Sequence, residues 1–142
     1  MVYSKTGLHL TEHFEGCRLK AYADQGGVWT IGFGHTLGVQ QGDACTLAQA
    51  YIWLLADVKE AVHYVNCLVR VPLTQGEFDA LVDFVFNVGP HAFRCSTLLH
   101  FLNAGDFADA ANEFVKWDHV KGKVCRDLFL RREEERSEFV TV

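Results

Sequence analysis

Apolar residues recur at helical spacing in the stretch that follows Gly42. Thr46 and Gln49 form a capping-box pattern, which predicts the start of a helix. The apolar positions that continue from there are Leu47, Ala50, Leu54, Val58, Val62 and Val65. Because this period is typical of an amphipathic helix, the pattern predicts one long helix over residues 46–66.

A second helical pattern begins after Pro72, which interrupts the first. Thr74 and Glu77 form another capping-box pattern, and the helix is expected to end at Gly89-Pro90. Its apolar face consists of Phe78, Leu81, Val82, Val85 and Phe86. This density of apolar positions predicts a helix that is buried over most of its surface. Shorter helices are predicted over residues 96–103, 106–117 and 128–139.

The N-terminal region has a different pattern, because six of the twelve glycines lie between residues 16 and 38. A short helix is predicted over residues 4–14, and Gly16 can take the left-handed conformation that ends a helix. Two runs rich in aromatic and β-branched residues, 19–24 and 28–33, flank a tight glycine turn. The region therefore predicts a helix followed by a hairpin, with Glu15 at the helix end.

Composition limits the classes of function. The chain has 142 residues, of which 49% are hydrophobic and 22% charged, as expected for one globular domain. Its net charge of −5 argues against a nucleic-acid partner, since phosphate binding needs clustered Lys and Arg. No apolar run approaches the roughly 18 residues that a membrane span requires, and the first residues lack the apolar core of a signal peptide. We expect a soluble protein, made in the cytoplasm and without membrane insertion.

The five cysteines include no C-x-x-C pair, and their number is odd. This pattern predicts reduced, mostly buried thiols and neither a disulfide framework nor a zinc site. Cys17 lies two residues from Glu15, so oxidation there could displace the Glu15 carboxyl. We keep this redox control as a hypothesis.

Charge is distributed unevenly along the chain. Residues 116–136 carry seven Lys and Arg against five Asp and Glu, whereas residues 1–115 carry six against twelve. The favoured interpretation is a solvated helix with surface pairs such as Arg131 and Glu135 at i, i+4. The alternative is contact with an anionic polymer.

Glu15, Asp24 and Thr30 form the densest polar constellation. If the hairpin folds back toward the helix end, two carboxyl groups and a hydroxyl face one cleft. Paired carboxylates at such a place suit acid–base cleavage of a glycosidic bond.

Two adjoining segments around these residues resemble the phage-type lysozyme (endolysin) family, glycoside hydrolase family 24. They are Phe14-Glu15-Gly16-Cys17-Arg18-Leu19-Lys20-Ala21-Tyr22-Ala23-Asp24 and Gly27-Val28-Trp29-Thr30-Ile31-Gly32-Phe33-Gly34-His35-Thr36. The resemblance continues through 71–75, 86–89 and 92–99 to Trp117 and the pair Arg131-Arg132. It departs at Arg126-Asp127-Leu128, where many relatives carry Gly-Leu.

The resemblance implies an α+β, lysozyme-like fold in a single catalytic domain over residues 1–142. A sheet-bearing lobe at about 17–45 would be joined by the long helix to a helical lobe at about 46–142, with the N-terminal helix packed on it. It implies hydrolysis of the β-1,4 bond between N-acetylmuramic acid and N-acetylglucosamine in bacterial peptidoglycan, without metal or organic cofactor. We expect a monomer that accumulates in the host cytoplasm and reaches the wall after a holin opens the inner membrane.

By the same resemblance, Glu15 is the general acid and must hold its proton at the working pH. Asp24 and Thr30 position the attacking water, and the reaction inverts the anomeric centre if the carboxyls stand roughly 6.5 to 9.5 Å apart. The substrate-binding positions implied are Thr36, Phe86, Asn87 and Ser96. His35 is expected to be structural, and Phe86 is equally compatible with a core position.

Three alternatives remain at this point. His9-Leu10-Thr11-Glu12-His13 matches the H-x-x-E-H pattern of a zinc protease, which stoichiometric zinc in the purified protein would support. A peptidoglycan-binding relative without catalysis would not need the intact Glu, Asp and Thr. A lytic transglycosylase uses one acid, would not need Asp24 with Thr30, and leaves an anhydro sugar instead of a reducing end.

Overall fold

The computed structural model describes residues 1–141. Over this range the chain forms seven α-helices and two small antiparallel sheets. The elements are α1 (Lys5–Glu15), β1 (Arg18–Ala23), β2 (Trp29–Gly32), α2 (Leu47–Leu68), α3 (Gln75–Val88), α4 (Pro90–Arg94), α5 (Thr97–Asn103), α6 (Phe107–Glu113), β3 (His119–Val120), β4 (Lys123–Val124) and α7 (Arg126–Val140).

The sheet-bearing lobe, residues 17–45, is built on the β1–β2 hairpin. Tyr22 pairs with Thr30 and Ala23 with Trp29, and the register shifts between Arg18 and Tyr22. A small apolar cluster joins this lobe to α2 and consists of Phe33, Ala50 and Leu54. Few side chains of the lobe are buried, so turns and backbone hydrogen bonds define most of its shape.

The helical lobe, residues 46–141, surrounds α3, and α1 packs on it as well. Helix α3 contacts α1, α2, α4 and α7, and its residues 78–85 are all buried. The core is rich in aromatic rings: Phe84 lies edge-on to Phe93, Phe114 and Trp117. The burial of α3 over most of its surface confirms what its apolar positions predicted.

The predicted helix starts are confirmed at two N-caps. Thr46 accepts a hydrogen bond from the Gln49 N–H, and Thr74 and Glu77 form a complete capping box. The predicted mixture of a small sheet and helices is also confirmed. The short helix α4 and the β3–β4 hairpin were not predicted, and α6 gives way to a 3₁₀ turn at Phe114–Lys116. These short elements have too few residues to produce a periodic pattern.

Two expectations about burial are wrong. Helix α7 is solvated on one face only, and the predicted Arg131–Glu135 pair, which forms at 3.7 Å, lies with Arg132 on the buried face and not at the surface. Their charges are balanced by one another and by Asp83 on α3. The buried face of α7 therefore carries ionic residues, whereas a search for apolar periodicity recognises a buried face only by apolar ones. The cysteines are free but not buried, because Cys17, Cys67 and Cys95 are exposed and Cys45 and Cys125 are half-buried.

Candidate active site

An open cleft of about 570 Å³ lies between the two lobes. Its walls come from the end of α1, the hairpin, the loop after β2, α2 and the end of α3. The predicted site residues that line it are Glu15, Asp24, Thr30, Thr36, Phe86 and Asn87. Folding therefore brings both carboxyl groups and the hydroxyl of the predicted constellation to one cavity.

Glu15 is the last residue of α1, where Gly16 takes a positive φ of 61° and turns the chain toward β1. Its side chain is 17% exposed, and the Oε1 atom accepts a hydrogen bond of 2.8 Å from Nη1 of Arg131. The carboxyl group thus faces the cleft on one side and contacts the buried guanidinium of Arg131 on the other.

Gly34 lies directly against the Glu15 carboxyl. It has a φ of +74°, and a Cβ built there would overlap Oε2 and Cδ of Glu15. Two requirements, the left-handed backbone and the close approach of the Glu15 side chain, explain why only glycine fits at position 34.

The Asp24 carboxylate closes the hairpin turn. Its Oδ1 atom accepts hydrogen bonds from the N–H groups of Gly26 (2.9 Å) and Val28 (2.8 Å). Thr30, which is buried on β2, pairs with Tyr22 and donates its hydroxyl proton to the Val28 carbonyl at 3.0 Å. With that proton engaged, the Thr30 oxygen presents its lone pairs as acceptors.

A buried ionic cluster lies behind Glu15, and Asp83 within it was not among the predicted site residues. Arg131 donates from Nε and Nη2 to the two oxygens of Asp83, at 3.0 and 2.9 Å. Burial opposes ionisation of Asp83, but the Arg131 guanidinium outweighs it and lowers the pKa of the Asp83 carboxyl. Burial likewise opposes the charge on Arg131, yet Asp83 and Glu15 raise the pKa of the guanidinium. The sequence signal that could have located this cluster was Asp83, an acidic residue among the apolar residues of α3.

The second arginine of the pair supports the cleft wall. Arg132 donates from Nη2 to the Asn87 side chain at 2.7 Å and to Glu135 at 2.9 Å. Burial raises the pKa of Glu135 well above its ordinary value. The hydrogen bond from Arg132 therefore holds the Asn87 side chain in place at the cleft wall.

His35 is buried beside the cleft instead of facing it. Its Nδ1 atom lies 2.7 Å from Oδ2 of Asp57 on α2, and its ring stacks on Trp53 at 4.6 Å. These contacts connect the sheet-bearing lobe to α2.

Ser96 is the predicted substrate-binding residue that the structure places outside this cleft. It caps α5, accepting from the Leu99 N–H and donating to the Phe93 carbonyl, and it borders a separate groove with Arg70 and Arg94. Phe86 lines the cleft and also packs on both apolar clusters.

The remaining motifs have ordinary surroundings. His9 pairs with Glu12 at 3.4 Å, and Thr11 between them is buried against α3. Among residues 1–141 no group of three or more His, Cys, Asp or Glu side chains could hold a metal ion. Partial desolvation and the nearby Cys45 thiol raise the pKa of Cys17, which lowers its reactive thiolate fraction. No helix in the same range has the length and apolarity needed to cross a membrane.

Comparisons with known proteins identify the family of this chain. Residues 12–135 match the family model described as phage lysozyme. The endolysin of Acyrthosiphon pisum secondary endosymbiont phage 1 is 42% identical over 98% of both chains. The endolysin of Bacillus phage B103 is 45% identical over 99% of this chain, which spans 55% of that longer protein.

A solved structure gives the same result in three dimensions. The muramidase domain of SpmX from Asticaccaulis excentricus superposes with a TM-score of 0.91, at 39% identity and with 99% of each chain covered. The agreement in fold and sequence extends over nearly the whole chain. This protein belongs to the phage lysozyme family.

Proposed function

We propose that this chain is an endolysin of the muramidase type, which hydrolyses the β-1,4 bond between N-acetylmuramic acid and N-acetylglucosamine in bacterial peptidoglycan. The observation that carries the proposal is the cleft that Glu15, Asp24 and Thr30 line together. Relatives named endolysin and muramidase support the substrate and the bond. We assign residues 1–142 to a single catalytic domain that acts as a monomer.

Glu15 is the general acid in this proposal. Because Arg131 can only donate, the Oε1 atom that contacts it must be an acceptor, and the proton of a neutral Glu15 belongs on Oε2. That oxygen lies against Gly34, which lines the cleft. Glu15 can thus protonate the leaving glycosidic oxygen from the cleft side.

Asp24 and Thr30 position the attacking water. A water that donates one hydrogen bond to the Asp24 carboxylate and one to the Thr30 oxygen keeps a lone pair for the anomeric carbon. Asp24 removes the proton as the bond forms, and we propose that attack opposite the leaving group inverts the anomeric centre. Thr36, Phe86 and Asn87 are proposed to contact the sugars along the walls.

The decisive experiment compares Glu15→Gln with the parent in a turbidity assay on permeabilised Gram-negative cells. Loss of the proton donor should lower the rate by about 10² to 10⁴-fold. Glu12→Gln, a change of the same type one turn earlier on α1, is the matched control and should stay active. A Glu15→Gln protein that is folded and retains most of its activity would refute the assignment.

Product analysis tests the water-positioning step separately. Asp24→Asn should lose hydrolysis, and the parent should release a reducing end whose first-formed anomer is α by nuclear magnetic resonance. An anhydro sugar would instead indicate transglycosylation, and a β anomer would indicate retention.

Access to the wall is a further part of the proposal. We propose that the enzyme accumulates in the host cytoplasm and depends on a holin to reach the wall. Expression of the chain alone should leave cells intact until chloroform or a co-expressed holin permeabilises the inner membrane. Spontaneous lysis without either treatment would contradict holin dependence.

A further inference from the structure

The Arg131 guanidinium contacts two carboxyl groups at once, and the two contacts are unequal. Asp83 accepts two hydrogen bonds from it, at 3.0 and 2.9 Å, whereas Glu15 accepts one at 2.8 Å. Both Arg131 and Asp83 are buried, so solvent screens the ion pair between them only weakly. Arg131 is therefore fixed by Asp83 first and reaches Glu15 with its remaining nitrogen.

This geometry presents a problem for the proposed acid. A cation within hydrogen-bond distance favours the ionised form of a carboxyl group, yet Glu15 must be protonated to act. The contact is useful only if the positive charge of Arg131 is balanced by another group. Asp83 is placed to balance it, because the pKa of its carboxyl is lowered by Arg131 in spite of burial and it stays charged at neutral pH.

We propose that Asp83 is a positioning residue for Glu15: by pairing with Arg131 through two hydrogen bonds it neutralises the guanidinium, which then orients the Glu15 carboxyl without holding it ionised. This inference rests on the proposed function of Glu15 as the general acid. Asp83 touches no substrate and acts only through Arg131.

The other charged and titratable groups around these residues do not replace Asp83. Glu15 faces Arg131 on α7 and Tyr22 on β1, and the pKa of Tyr22 is raised by burial and by Glu15. Glu135 lies 3.7 Å from Arg131 but 2.8 Å from Arg132, so its closer cation is Arg132. Glu135 also shares a hydrogen bond with Asp83, and burial together with the Asp83 charge raises its pKa, so the balancing charge lies on Asp83. The remaining groups around Asp83 are Tyr3, Thr11, Arg132 and, one turn earlier on α3, Asp79.

The test is the pH dependence of kcat/KM on soluble peptidoglycan fragments. Asp83→Asn keeps the side-chain shape and leaves the charge of Arg131 unbalanced, so Glu15 should lose its proton at lower pH. The alkaline limb should move toward acid by about one pH unit or more. A purely structural role would lower the amount of folded protein and leave the limb where it is.

Two control variants separate charge from packing. Thr11→Val removes a 2.7 Å hydrogen bond to Oδ1 of Asp83, which Arg131 also contacts, without changing any charge. Asp79→Asn removes a buried carboxyl one turn away on α3, where its partners are Ser4 and Gln75. Both variants should lose stability but keep the parent position of the alkaline limb. An equal shift in Thr11→Val would overturn the charge explanation.

A double variant keeps the test decisive if Asp83→Asn folds poorly. Asp83→Asn with Arg131→Gln removes both charges, which avoids an uncompensated buried cation. Its alkaline limb should return to the parent position or lie above it. A limb that moves toward acid in the double variant would contradict the proposal.

The proposed roles of Asp83 and Glu15 can be refuted separately. If Glu15→Gln is inactive and folded Asp83→Asn keeps the parent limb, the role of Asp83 is wrong and the general acid stands. If Glu15→Gln stays active, the proposed function fails, and a shift in Asp83→Asn must then be assigned to another acid.

Discussion

The two lobes hold their parts of the site by different means. In the sheet-bearing lobe, turns place the groups: Asp24 is fixed by two backbone N–H donors and Gly34 by its left-handed backbone. In the helical lobe, buried ions place them: Arg131, held by Asp83, reaches across to Glu15. Short-range geometry therefore holds Asp24, which we propose positions the water, and long-range packing holds Glu15, the proposed acid.

This difference has an energetic consequence. A turn is stabilised mostly by contacts among neighbouring residues, so a change in it acts locally. A buried ion pair links distant helices, and removing one partner leaves the other without compensation. Damage to the helical lobe should therefore cost stability, whereas damage to the sheet-bearing lobe should cost activity.

The largest effect is expected from Arg132→Ala. This side chain is buried between Glu135 and Asn87 and lies over the Phe84 ring at 5.0 Å. Loss of one member of a buried pair should lower the free energy of unfolding by about 3 to 5 kcal/mol, measured in urea. Arg18→Ala, whose exposed guanidinium lies over Tyr22 in the other lobe, should cost only about 0.5 to 1 kcal/mol. Equal costs would remove the contrast between the lobes.

Gly34→Ala tests the opposite side of the comparison. The new Cβ should displace the Glu15 carboxyl, and a misplacement of about 1 Å can lower the rate by about 10²-fold. Gly38→Ala is the matched control, because its φ of +72° carries the same backbone penalty while nothing lies within 4 Å of the new Cβ. We expect similar thermal stability for the two variants and a large difference in lytic rate. Similar rates would show that Glu15 tolerates displacement.

His35→Gln tests the connection between the lobes. The Nδ1 contact with Asp57 is a charge-assisted hydrogen bond when His35 is protonated, and its loss should cost about 2 kcal/mol in urea unfolding. The activity of the folded protein should fall by less than the roughly 10²-fold that deletion of an acid–base group causes. A larger loss in a stable protein would make His35 a catalytic group.

The smallest expected effect is on the pH dependence of the free energy of unfolding in acid, and it comes from protonation of the Asp83 carboxyl. The pKa of Asp83 lies below its ordinary value, so the Asp83–Arg131 pair contributes stability above that ordinary value and loses it as pH falls through the lowered one. Asp83→Asn should flatten this part of the curve of unfolding free energy against pH. An acid slope equal to that of the parent would show that another carboxyl carries it.

Local sequence patterns predicted most of the elements and part of the site. The capping boxes at Thr46 and Thr74 located α2 and α3, and the glycine turn located the hairpin. Asp24 and Thr30 were predictable because a hairpin fixes neighbours along the chain. Ser96 was not: its hydroxyl makes local cap contacts with Phe93 and Leu99, but the packing of the helices decides that this cap borders a separate groove instead of the cleft.

The sequence by itself determined which residues could carry the chemistry and where the helices begin, because caps, turns and apolar periods act over a few residues. Tertiary structure alone decided that α7 buries Arg131 and Arg132, and that Asp83 stands behind Glu15. A buried charge is tolerated only where an oppositely charged partner contacts it. Here that partner comes from a distant part of the chain, so no local sequence pattern predicts the contact.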